Sequence, residues 1–332
     1  MSVNSDPHQS MLNRRQFLIR SAKAGLSIAA AGAIGYQFYE SSAPDGIQRE
    51  SEYAGLPDFS IPDTGSRLSV VRGHDRIKTL QLALKSIGGI ETFIKSGDRI
   101  LLKVNAAFAS PPMLSATTHP QLVSEITRLC FKAGAHEVIV TDNPINDPLS
   151  CFNLTGIAEA ARKAGAKVVL PRENFFKYMT LTDAKLIRNW PVLHKPFKDI
   201  AKVIGVAPVK DHHRSGASMI MKNWYGLLGG RRNIFHQDIH NIIKELAMMV
   251  SPTLVILDGT TAMMSNGPTG GSLSDLKETN TMIVGTDQVA VDAYGATLLG
   301  KDLSELTFIA KAEAYGVGTA DYRSLNPEVI SL

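Results

Sequence analysis

Cysteine is scarce in this sequence of 332 residues, which contains Cys130 and Cys151 and no other. An iron–sulfur cluster held by cysteine alone, or a four-cysteine zinc site, needs four thiolates, so both are excluded. We therefore expect no iron–sulfur cluster and at most one disulfide bond. Cys130 falls in an apolar helical pattern, which predicts a buried thiol with a packing role.

The chain also lacks a strong charge of either sign. It has 35 basic and 31 acidic residues, and the excess of +4 falls to +2 when residues 1–43 are set aside. A nucleic-acid-binding surface needs a concentrated positive patch, so we expect no nucleic-acid partner. With 44% hydrophobic and 20% charged residues, the composition excludes intrinsic disorder, collagen-like repeats and coiled coils. It predicts a substantial core, in one large domain or in two closely joined ones.

Long apolar runs are absent beyond residue 43, where no stretch of the roughly 20 residues that cross a bilayer is both apolar and uncharged. We expect no stable membrane span in the mature chain. Three common signatures are missing too: G-x-G-x-x-G after the first strand, a P-loop, and a G-x-S-x-G elbow. Ordinary nucleotide-binding and serine-hydrolase functions therefore lose most of their support.

The first 43 residues have the three parts of an export signal. Arg14-Arg15 form the charged front, residues 21–39 a short apolar middle, and Ser41-Ser42-Ala43 a small-residue end. The arginine pair with Phe17-Leu18 behind it resembles a twin-arginine signal. The alternative is an amphipathic helix or a retained membrane anchor.

The resemblance to a twin-arginine signal implies export of the folded protein, with the twin-arginine translocation machinery as partner. We therefore predict a signal peptide at 1–43, a linker rich in Pro, Gly, Ser and Asp at 44–66, and a periplasmic or extracytoplasmic location. Proteins that use this route often carry a cofactor loaded in the cytoplasm, so a metal or a covalently bound cofactor is left open.

Between residues 67 and 332, short apolar runs alternate with helical patterns. This order predicts an α/β fold with a mostly parallel sheet and helices on both faces, and leaves open two subdomains that divide near 195–205 around a cleft. Ligands of such sheets bind beyond the carboxyl ends of strands, so Asn105, Asp142 and Asn143 should lie at the mouth. The predicted strands are 68–72, 99–104, 137–141, 167–170, 203–209, 254–257 and 281–285, and the predicted helices are 76–94, 121–133, 154–164, 236–250, 288–299 and 303–315.

Four histidines fall between positions 212 and 240. Imidazole is the usual acid–base group near neutral pH, which makes His212 and His213 candidate catalytic residues. His236 and His240 are four apart and share a face if the segment is helical, a spacing that permits joint metal ligation. The alternative for this pair is a histidine at a helix start plus a solvated one.

The same window contains three further cations that predict an anionic ligand. Arg231 and Arg232 follow two glycines, and guanidinium groups bind carboxylate or phosphate in a bidentate manner. Lys222 lies in an apolar setting, where a lysine can lose its charge and become a nucleophile or an attachment point. The alternatives are a surface role for the arginines and an ion pair of Lys222 with Asp211 or Asp258.

Two other segments have polar or glycine-rich patterns. Residues 266–271 form a loop able to fold around a ligand, or equally a turn that needs positive φ. Asp287 and Asp292 bracket an apolar tripeptide, and Asp287 is also a candidate helix cap.

Motifs spread over roughly residues 68–300 resemble the family known as domain of unknown function 362. They are Leu102-Lys103-Val104-Asn105, a Lys-x-His…Lys-Asn…Gly stretch at 210–226, Asp258-Gly259, Gly267-Pro268, and Asp287-x-Val-Ala-Val-Asp292. Asp258 follows a predicted strand and, like Asn105, should line the mouth. Lys103, Asn223 and Gly267 are further candidate ligand-binding residues. Some relatives carry a ferredoxin-like module that this sequence lacks.

A more distant likeness is to nickel-pincer lactate racemases, where a lysine tethers a pyridinium-derived cofactor and histidines ligate or transfer protons. His212, Lys222 and His236 have that order and approximate spacing. The sequence departs from the racemase pattern at residues 217–221, where that family is glycine-rich, and its earlier histidine has no counterpart here unless His119 serves.

Two main functions follow. The first is an exported enzyme, isomerase- or racemase-like, that acts on a small anionic ligand. Its acid–base group is His212 or His213, its nucleophile or tether is Lys222, and its anion clamp is Arg231 with Arg232. The second is a non-catalytic protein that handles a cofactor or metal for a redox system. A purely structural role is a third alternative, and it leaves the basic cluster unused.

Overall fold

The computed structural model describes residues 14, 15, 19, 21, 23, 55–62 and 65–332. The predicted signal peptide, apart from those first five positions, and most of the predicted linker lie outside the described residues. Contacts group the chain into two units, Met1–Glu50 and Ser51–Leu332, and the second contains the fold described below. Within the described ranges, every helix is too short or too polar to cross a bilayer.

A mixed, mostly parallel sheet of nine strands, as far as the described residues go, forms the centre of Ser51–Leu332. Its strand order is β11-β1-β10-β9-β7-β2-β3-β4, and β8 pairs with β7. A separate hairpin consists of β5 and β6. The strands are β1 Leu68–Arg72, β2 Arg99–Lys103, β3 Glu137–Thr141, β4 Lys167–Val169, β5 Phe176–Met179, β6 Trp190–Leu193, β7 Lys202–His212, β8 Gly216–Ser218, β9 Leu254–Met263, β10 Leu276–Gly285 and β11 Glu328–Ser331.

Helices cover both faces of this sheet, so the predicted α/β fold is confirmed. One face packs against α1 Arg76–Ser86, α2 Pro120–Lys132, α3 Pro148–Leu154 and α4 Ile157–Lys163. The other packs against α5 Ile220–Asn223, α6 Ile239–Met249, α7 Gln288–Leu298 and α8 Thr307–Ala314, and against the hairpin.

Buried strands supply the two cores by alternation of their side chains. In β2, Leu101 faces one core while Ile100 and Leu102 face the other. Because successive side chains of a strand point to opposite faces, a strand covered on both sides must be apolar throughout. That requirement explains why these strands read as short continuous apolar runs in the sequence.

Several helix starts follow from local side-chain chemistry. Asp75 caps α1 by accepting from the backbone N–H groups of Ile77 and Lys78. Asp287 caps α7 in the same way, as the sequence predicted. A side-chain oxygen at this position accepts hydrogen bonds from N–H groups that have no partner inside the helix.

The predicted elements differ from the structure in several places. The helix predicted over 76–94 ends at Ser86. The helix predicted over 154–164 is broken at Gly156, whose positive φ of 72° is compatible with glycine but not with a continuing helix. The last helix begins at Thr307, after a short 3₁₀ turn. The helix predicted from 236 begins at Ile239, because residues 232–238 form a 3₁₀ segment. The β5–β6 hairpin was not predicted at all.

The subdivision left open near 195–205 is not confirmed, since β7 begins within that range, at Lys202, and pairs with β2 and β9 in the middle of the sheet. Both cysteines are buried and free. Burial raises the pKa of the Cys130 thiol.

Candidate functional site

A small cavity, called here the inner pocket, lies at the carboxyl ends of β2, β3 and β7. The chain runs from β2 to β3 on one side, while β7 pairs on the other side of β2, so the cavity lies at a switch point of the sheet. It encloses about 80 Å³. Its polar and charged lining consists of Asn105, Asp142, Asn143, Lys210, His212, Ser218, Lys222, Asn223, Tyr225, Arg232 and His236.

A buried ion pair forms one wall of this pocket. The ammonium of Lys103 lies 2.8 Å from Oδ1 of Asp142, and it also donates to the carbonyls of Val104 and Asn223. The other carboxylate oxygen of Asp142 accepts from the backbone N–H of Ala106. Lys103 thus has no donor left for a ligand, and its charge and that of Asp142 compensate each other.

Gly226 is required beside that ion pair. A Cβ at this position would lie 2.0 Å from Oδ1 of Asp142 and 3.0 Å from Nζ of Lys103. The glycine therefore serves the close approach of backbone to a buried charge pair. This explains the final glycine of the Lys-x-His…Lys-Asn…Gly stretch.

Lys210 is an almost fully buried cation, 1% exposed, near the end of β7. Its ammonium donates to the carbonyls of Ala116 and Pro268 and lies 5.2 Å from the ring centroid of Phe108. None of the described carboxylates forms an ion pair with it. Burial, and next the charge of Lys222, lower the pKa of Lys210 to about 7.

Lys222 is the second buried cation, 8% exposed on the short helix α5. Its ammonium lies 5.1 Å from the ring centroid of Tyr225, and no described residue provides it with a hydrogen bond or an ion pair. Burial, and next the charge of Arg232, lower the pKa of Lys222 to about 7. The alternatives of pairing with Asp211 or Asp258 are wrong, because Asp211 pairs with Lys301 and Asp258 with Arg76.

The carboxylate of Asp292 determines where α5 begins. Its two oxygens accept from the backbone N–H groups of Ile220 and Met221, at 2.8 and 3.0 Å. Asp292 is fully buried, and burial raises its pKa to about 7. This contact gives a positioning role to the second aspartate of the Asp287-x-Val-Ala-Val-Asp292 motif.

The hydrogen bonds of His212 determine its tautomer. Its Nδ1 accepts from the backbone N–H groups of Arg214 and Ser215, both at 3.2 Å. A neutral imidazole has one lone pair and one N–H, so Nε2 carries the proton. Burial and the nearby charge of Lys222 lower the pKa of His212 to about 2, which keeps the ring neutral. His212 is therefore a hydrogen-bond donor toward the pocket.

His236 has the opposite tautomer. Its Nδ1 lies 3.2 Å from the carbonyl oxygen of Asn233 and 3.1 Å from Oη of Tyr225, whose hydroxyl donates to the carbonyl of Arg232. A carbonyl only accepts, so Nδ1 of His236 carries the proton and Nε2 has the lone pair. Burial, followed by the charge of Lys222, lowers the pKa of His236. The rings of His212 and His236 stack at 5.9 Å between centroids.

Arg232 holds the backbone around the pocket. Its guanidinium donates to four carbonyls, those of Tyr225, Leu228, Asn143 and Pro144, at 2.8 to 3.2 Å. Arg231 is exposed and lines neither cavity. The two arginines therefore do not form a joint clamp; Arg232 contributes charge and rigidity.

A larger cavity, called here the outer cleft, adjoins the inner pocket and encloses about 790 Å³. Both cavities are lined by Asn143, Ile145, Tyr225, Arg232 and His236. The β5–β6 hairpin supplies Phe176, Tyr178 and Pro191 to the far wall. Gly229 faces this hairpin rather than an anion, since a Cβ there would lie 2.8 Å from the ring of Phe176.

Several residues predicted for the site lie outside both cavities. His213 is exposed, stacks on His212 at 4.9 Å between centroids, and contacts the carbonyl of Gly267. Asp258 forms an ion pair with Arg76, at 2.9 Å. His119 caps α2 beside that pair, and burial lowers its pKa to about 4.

The proposed metal ligands His236 and His240 are directed to different partners. His236 belongs to the 3₁₀ segment against Tyr225, whereas His240 lies in α6 and stacks on Phe308. Their spacing of four therefore does not place them on one α-helical face. In the described ranges, no group of three His, Cys, Asp or Glu side chains is placed to hold a metal.

The nickel ligation implied by the racemase likeness does not fit His212. A metal at Nε2 would require the proton to sit on Nδ1, where two backbone N–H groups already point. Lys222 remains accessible from the pocket, but the histidine before it is held as a donor.

Three lining residues were missed or undervalued in the sequence. Lys210 lies two residues before His212 in a strand, so both side chains point to the same face, and this alternation was a usable signal. Gly226 was visible only as a motif position. Tyr225 had no signal, because its role depends on the 3₁₀ segment folding back over it.

Comparison with known proteins shows relatives at several distances. Over 249 residues the chain is 25% identical to the thylakoid-associated protein sll1697 of Synechocystis sp., covering 73% of this chain and 75% of that protein. The lactate racemase apoprotein from Thermoanaerobacterium thermosaccharolyticum is a distant structural match, with 11% identity and a TM-score of 0.35 over 69% of this chain. A crystal structure of a Thermotoga maritima protein matches with 10% identity and a TM-score of 0.39, also over 69%. The chain spans 58% and 60% of the length of these two solved chains.

The family match covers the segment that builds the site. Residues 100–297, more than half of the chain, match the domain of unknown function DUF362. This range includes β2, β3 and β7, the lysines and histidines of the inner pocket, and Asp292. The chain belongs to the DUF362 family.

Proposed function

We propose that this protein binds a small carboxylate or phosphate anion in the inner pocket and transfers a proton on the bound molecule. The observation that carries the proposal is the pair of buried ammonium groups, Lys210 and Lys222, which face one cavity without a carboxylate partner among the described residues. A buried charge is costly unless it is paired. An anion that enters the pocket supplies the missing partner.

The donors around the cavity suit an oxyanion. Positive charge comes from the ammonium groups of Lys210 and Lys222 and from the guanidinium of Arg232. The Nε2–H of the neutral His212 adds a hydrogen-bond donor. Asn105 adds its amide nitrogen, which no described residue engages, while its Oδ1 accepts from Ala107. Charge-assisted hydrogen bonds of this kind are the strong ones. The ion pair of Lys103 with Asp142 contributes no net charge.

The two neutral imidazoles suit proton transfer beside the anion. Nε2 of His236 has the free lone pair and acts as the base that takes a proton from the ligand, while Nε2–H of His212 donates to the oxygen on which negative charge develops. The ammonium of Lys222 returns a proton to the carbon, and His236 and Lys222 then re-equilibrate with water. The net reaction is an isomerisation, which needs no oxidant or reductant.

Binding and exchange experiments test the two halves of this proposal separately. Calorimetry with acetate and with inorganic phosphate is expected to give binding by the wild type and none by Lys222→Met. Proton NMR in D₂O should then show exchange at the carbon next to the carboxylate, lost in His236→Gln while binding is kept. Lys163→Met, at an exposed lysine, is the matched control.

The outcomes distinguish the enzyme from the non-catalytic alternative. Binding without exchange, over a panel of carboxylates, removes the catalytic half and favours a protein that only holds or handles the anion. The whole proposal is abandoned if no carboxylate of the panel and no phosphate binds to the folded wild type at millimolar concentration.

We also propose export by the twin-arginine route, on the basis of Arg14-Arg15 and the small-residue end of the apolar segment. Fractionation of host cells is expected to place the wild type outside the cytoplasm, and Arg14→Lys with Arg15→Lys should retain it inside. Arg20→Lys is the control. Export of the double variant at the wild-type level would contradict the proposal.

A further inference from the structure

The inner pocket is too small to hold more than the head of a ligand. A buried water occupies at least roughly 10–15 Å³ of a cavity, so the inner pocket, at about 80 Å³, has room for roughly five to eight waters at most. A carboxylate or phosphate group with its first neighbouring atoms fills that space. The outer cleft, at about 790 Å³, lies within the range of about 300–1,000 Å³ that is usual for small-molecule sites.

The two cavities communicate beside the acid–base groups. Tyr225, Arg232 and His236 line both of them, so a molecule whose anionic head lies among the lysines passes His236 as it leaves the inner pocket. Proton transfer at that point acts on the atom that joins the head to the rest of the ligand.

The lining of the outer cleft combines polar side chains, among them Arg172 and Glu173, with a group of apolar side chains turned toward solvent. Tyr178 is 59% exposed and Ile145 is 64% exposed, although large apolar side chains of a folded protein are usually covered. The remaining apolar lining comes from Pro144, Pro148, Pro171, Phe176 and Pro191. Exposed apolar groups gathered in one concave wall favour the apolar body of a ligand.

The far wall is held firmly in place, so the cleft is preformed. The backbone N–H of Gly229 donates to the carbonyl of Pro191, and the indole N–H of Trp190 donates to the carbonyl of Gly229. In the segment that joins β5 to β6, the buried carboxylate of Glu245 accepts from the backbone N–H groups of residues 185–187, at 2.7 to 3.2 Å.

We propose that the ligand of this protein is bipartite: a carboxylate or phosphate head in the inner pocket, joined to an apolar body that occupies the outer cleft. This inference rests on the proposed anion site and narrows its substrate class. It excludes bare acids of two or three carbons as the preferred ligands, because they leave the outer cleft empty.

Calorimetry with a matched ligand series tests the inference. Acetate, hexanoate and phenylbutanoate share a carboxylate head, and inorganic phosphate and phenyl phosphate form the second arm. We expect phenylbutanoate to bind at least roughly 30-fold more tightly than acetate, because its apolar body contacts the outer cleft and acetate has no such part. Each factor of ten in Kd corresponds to about 1.4 kcal/mol of binding free energy. The series that binds more tightly, carboxylates or phosphates, identifies the head group that the inner pocket prefers.

Variants of the cleft wall make the test specific. Tyr178→Ala and, independently, Ile145→Ala are expected to shrink the acetate-to-phenylbutanoate ratio of Kd about five- to ten-fold. Both side chains are exposed, so neither substitution threatens folding. Leu154→Ala, at a side chain 60% exposed outside the cleft, is the matched control and should leave the ratio unchanged.

Failure of this inference is distinguishable from failure of the anion site. If acetate and phenylbutanoate bind with similar Kd, the anion site stands and the bipartite ligand is refuted. A tight phenylbutanoate complex that is insensitive to Tyr178→Ala and Ile145→Ala also refutes it. If no anion of either arm binds, the proposed function itself has failed.

Discussion

Lys210 and Lys222 oppose folding when the inner pocket is empty. Each has a folded-state pKa of about 7, against 10.5 for an exposed lysine. Between those values the unfolded chain binds more protons than the folded chain, so the free energy of unfolding rises as pH increases from about 7 to 10.5. Below pH 7 both lysines are charged in the folded and in the unfolded chain, and the free-energy cost of burying their charge is fully present. Such a cost is expected of groups retained to bind a ligand.

Replacing one of these lysines should stabilise the empty protein. We expect Lys222→Met to raise Tm at pH 6, by ~2–4 °C for each kcal/mol of penalty removed, because the apolar chain needs no solvation. The gain should fade as pH rises above 10.5, the pKa of an exposed lysine, because the wild-type lysine is then neutral in both states. Thermal unfolding at several pH values, with Lys163→Met beside it, measures the effect; a loss of stability at pH 6 would instead mean that the ammonium is paired.

Anion binding should take up protons from the buffer. A bound anion raises the pKa of both lysines, so near pH 8, where they are mostly neutral, uptake should approach about one proton or more per anion. Near pH 6 the lysines are already charged and uptake should be close to zero. Calorimetry in buffers of different ionisation enthalpy gives this number. A heat of binding at pH 8 that is the same in every buffer would contradict the assignment.

The tautomers of the two histidines could not be predicted from the sequence. The sequence identified His212 and His236 as chemically important, but it offered acid–base and ligand roles without a way to choose. The choice depends on whether a backbone N–H or a carbonyl faces Nδ1, and that is decided by the turn at residues 213–215 and by the 3₁₀ segment. Local composition does not encode either contact.

Part of the site lies on short secondary-structure elements that are stabilised by contacts with residues distant in sequence. Helix α5 has four residues, too few to be stable alone, because helix nucleation is unfavourable. Asp292 of α7 provides the missing stabilisation by accepting from its first two N–H groups. This is why a segment without a helical pattern of its own nevertheless presents Lys222 and Asn223 to the pocket.

Removing that anchor should weaken anion binding through Lys222. We expect Asp292→Ala to raise the Kd for acetate about ten-fold, a loss of about 1.4 kcal/mol, and Asp292→Asn, which keeps one acceptor oxygen, to lie between it and the wild type. Asp302→Ala removes the cap of an exposed 3₁₀ turn and is the matched control. Unchanged acetate affinity in a folded Asp292→Ala variant would show that α5 is positioned by packing alone.

The β5–β6 hairpin illustrates what an element-level pattern omits. Its strands contain Lys177, an exposed Tyr178 and Pro191, so neither the apolar run nor the strict alternation of a buried strand is present. Its stability comes from partners distant in sequence, Glu245 at the turn and Gly229 beside β6. The outer cleft could not be predicted for the same reason.

At the scale of the whole molecule, the parallel half of the sheet followed from sequence because it is buried on both faces. β2 and β3 were predicted almost to the residue, as short apolar runs between helical patterns. β9 and β10 extend several residues further than predicted, since their ends contain Thr260, Glu278 and other polar residues beyond the apolar run. Strand order depends on long-range pairing, such as that of β2 with β7, which no periodicity reports.

The site joins segments near positions 105, 142, 210–236 and 268, so a bound anion should stabilise the whole Ser51–Leu332 unit. At a ligand concentration of about 100 Kd the gain is about 2.7 kcal/mol, and we expect Tm to rise by roughly 5–10 °C at pH 6. The shift should shrink at pH 9, where the empty pocket holds neutral lysines and binding must first recruit protons. Thermal unfolding in acetate or phosphate, compared with chloride at equal ionic strength, measures this shift in Tm.

Two variants separate anion binding from a general effect of salt. Lys222→Met should abolish the shift in Tm, and Lys163→Met should keep it. An equal shift in the wild type and in both variants would assign the effect to general salt stabilisation instead.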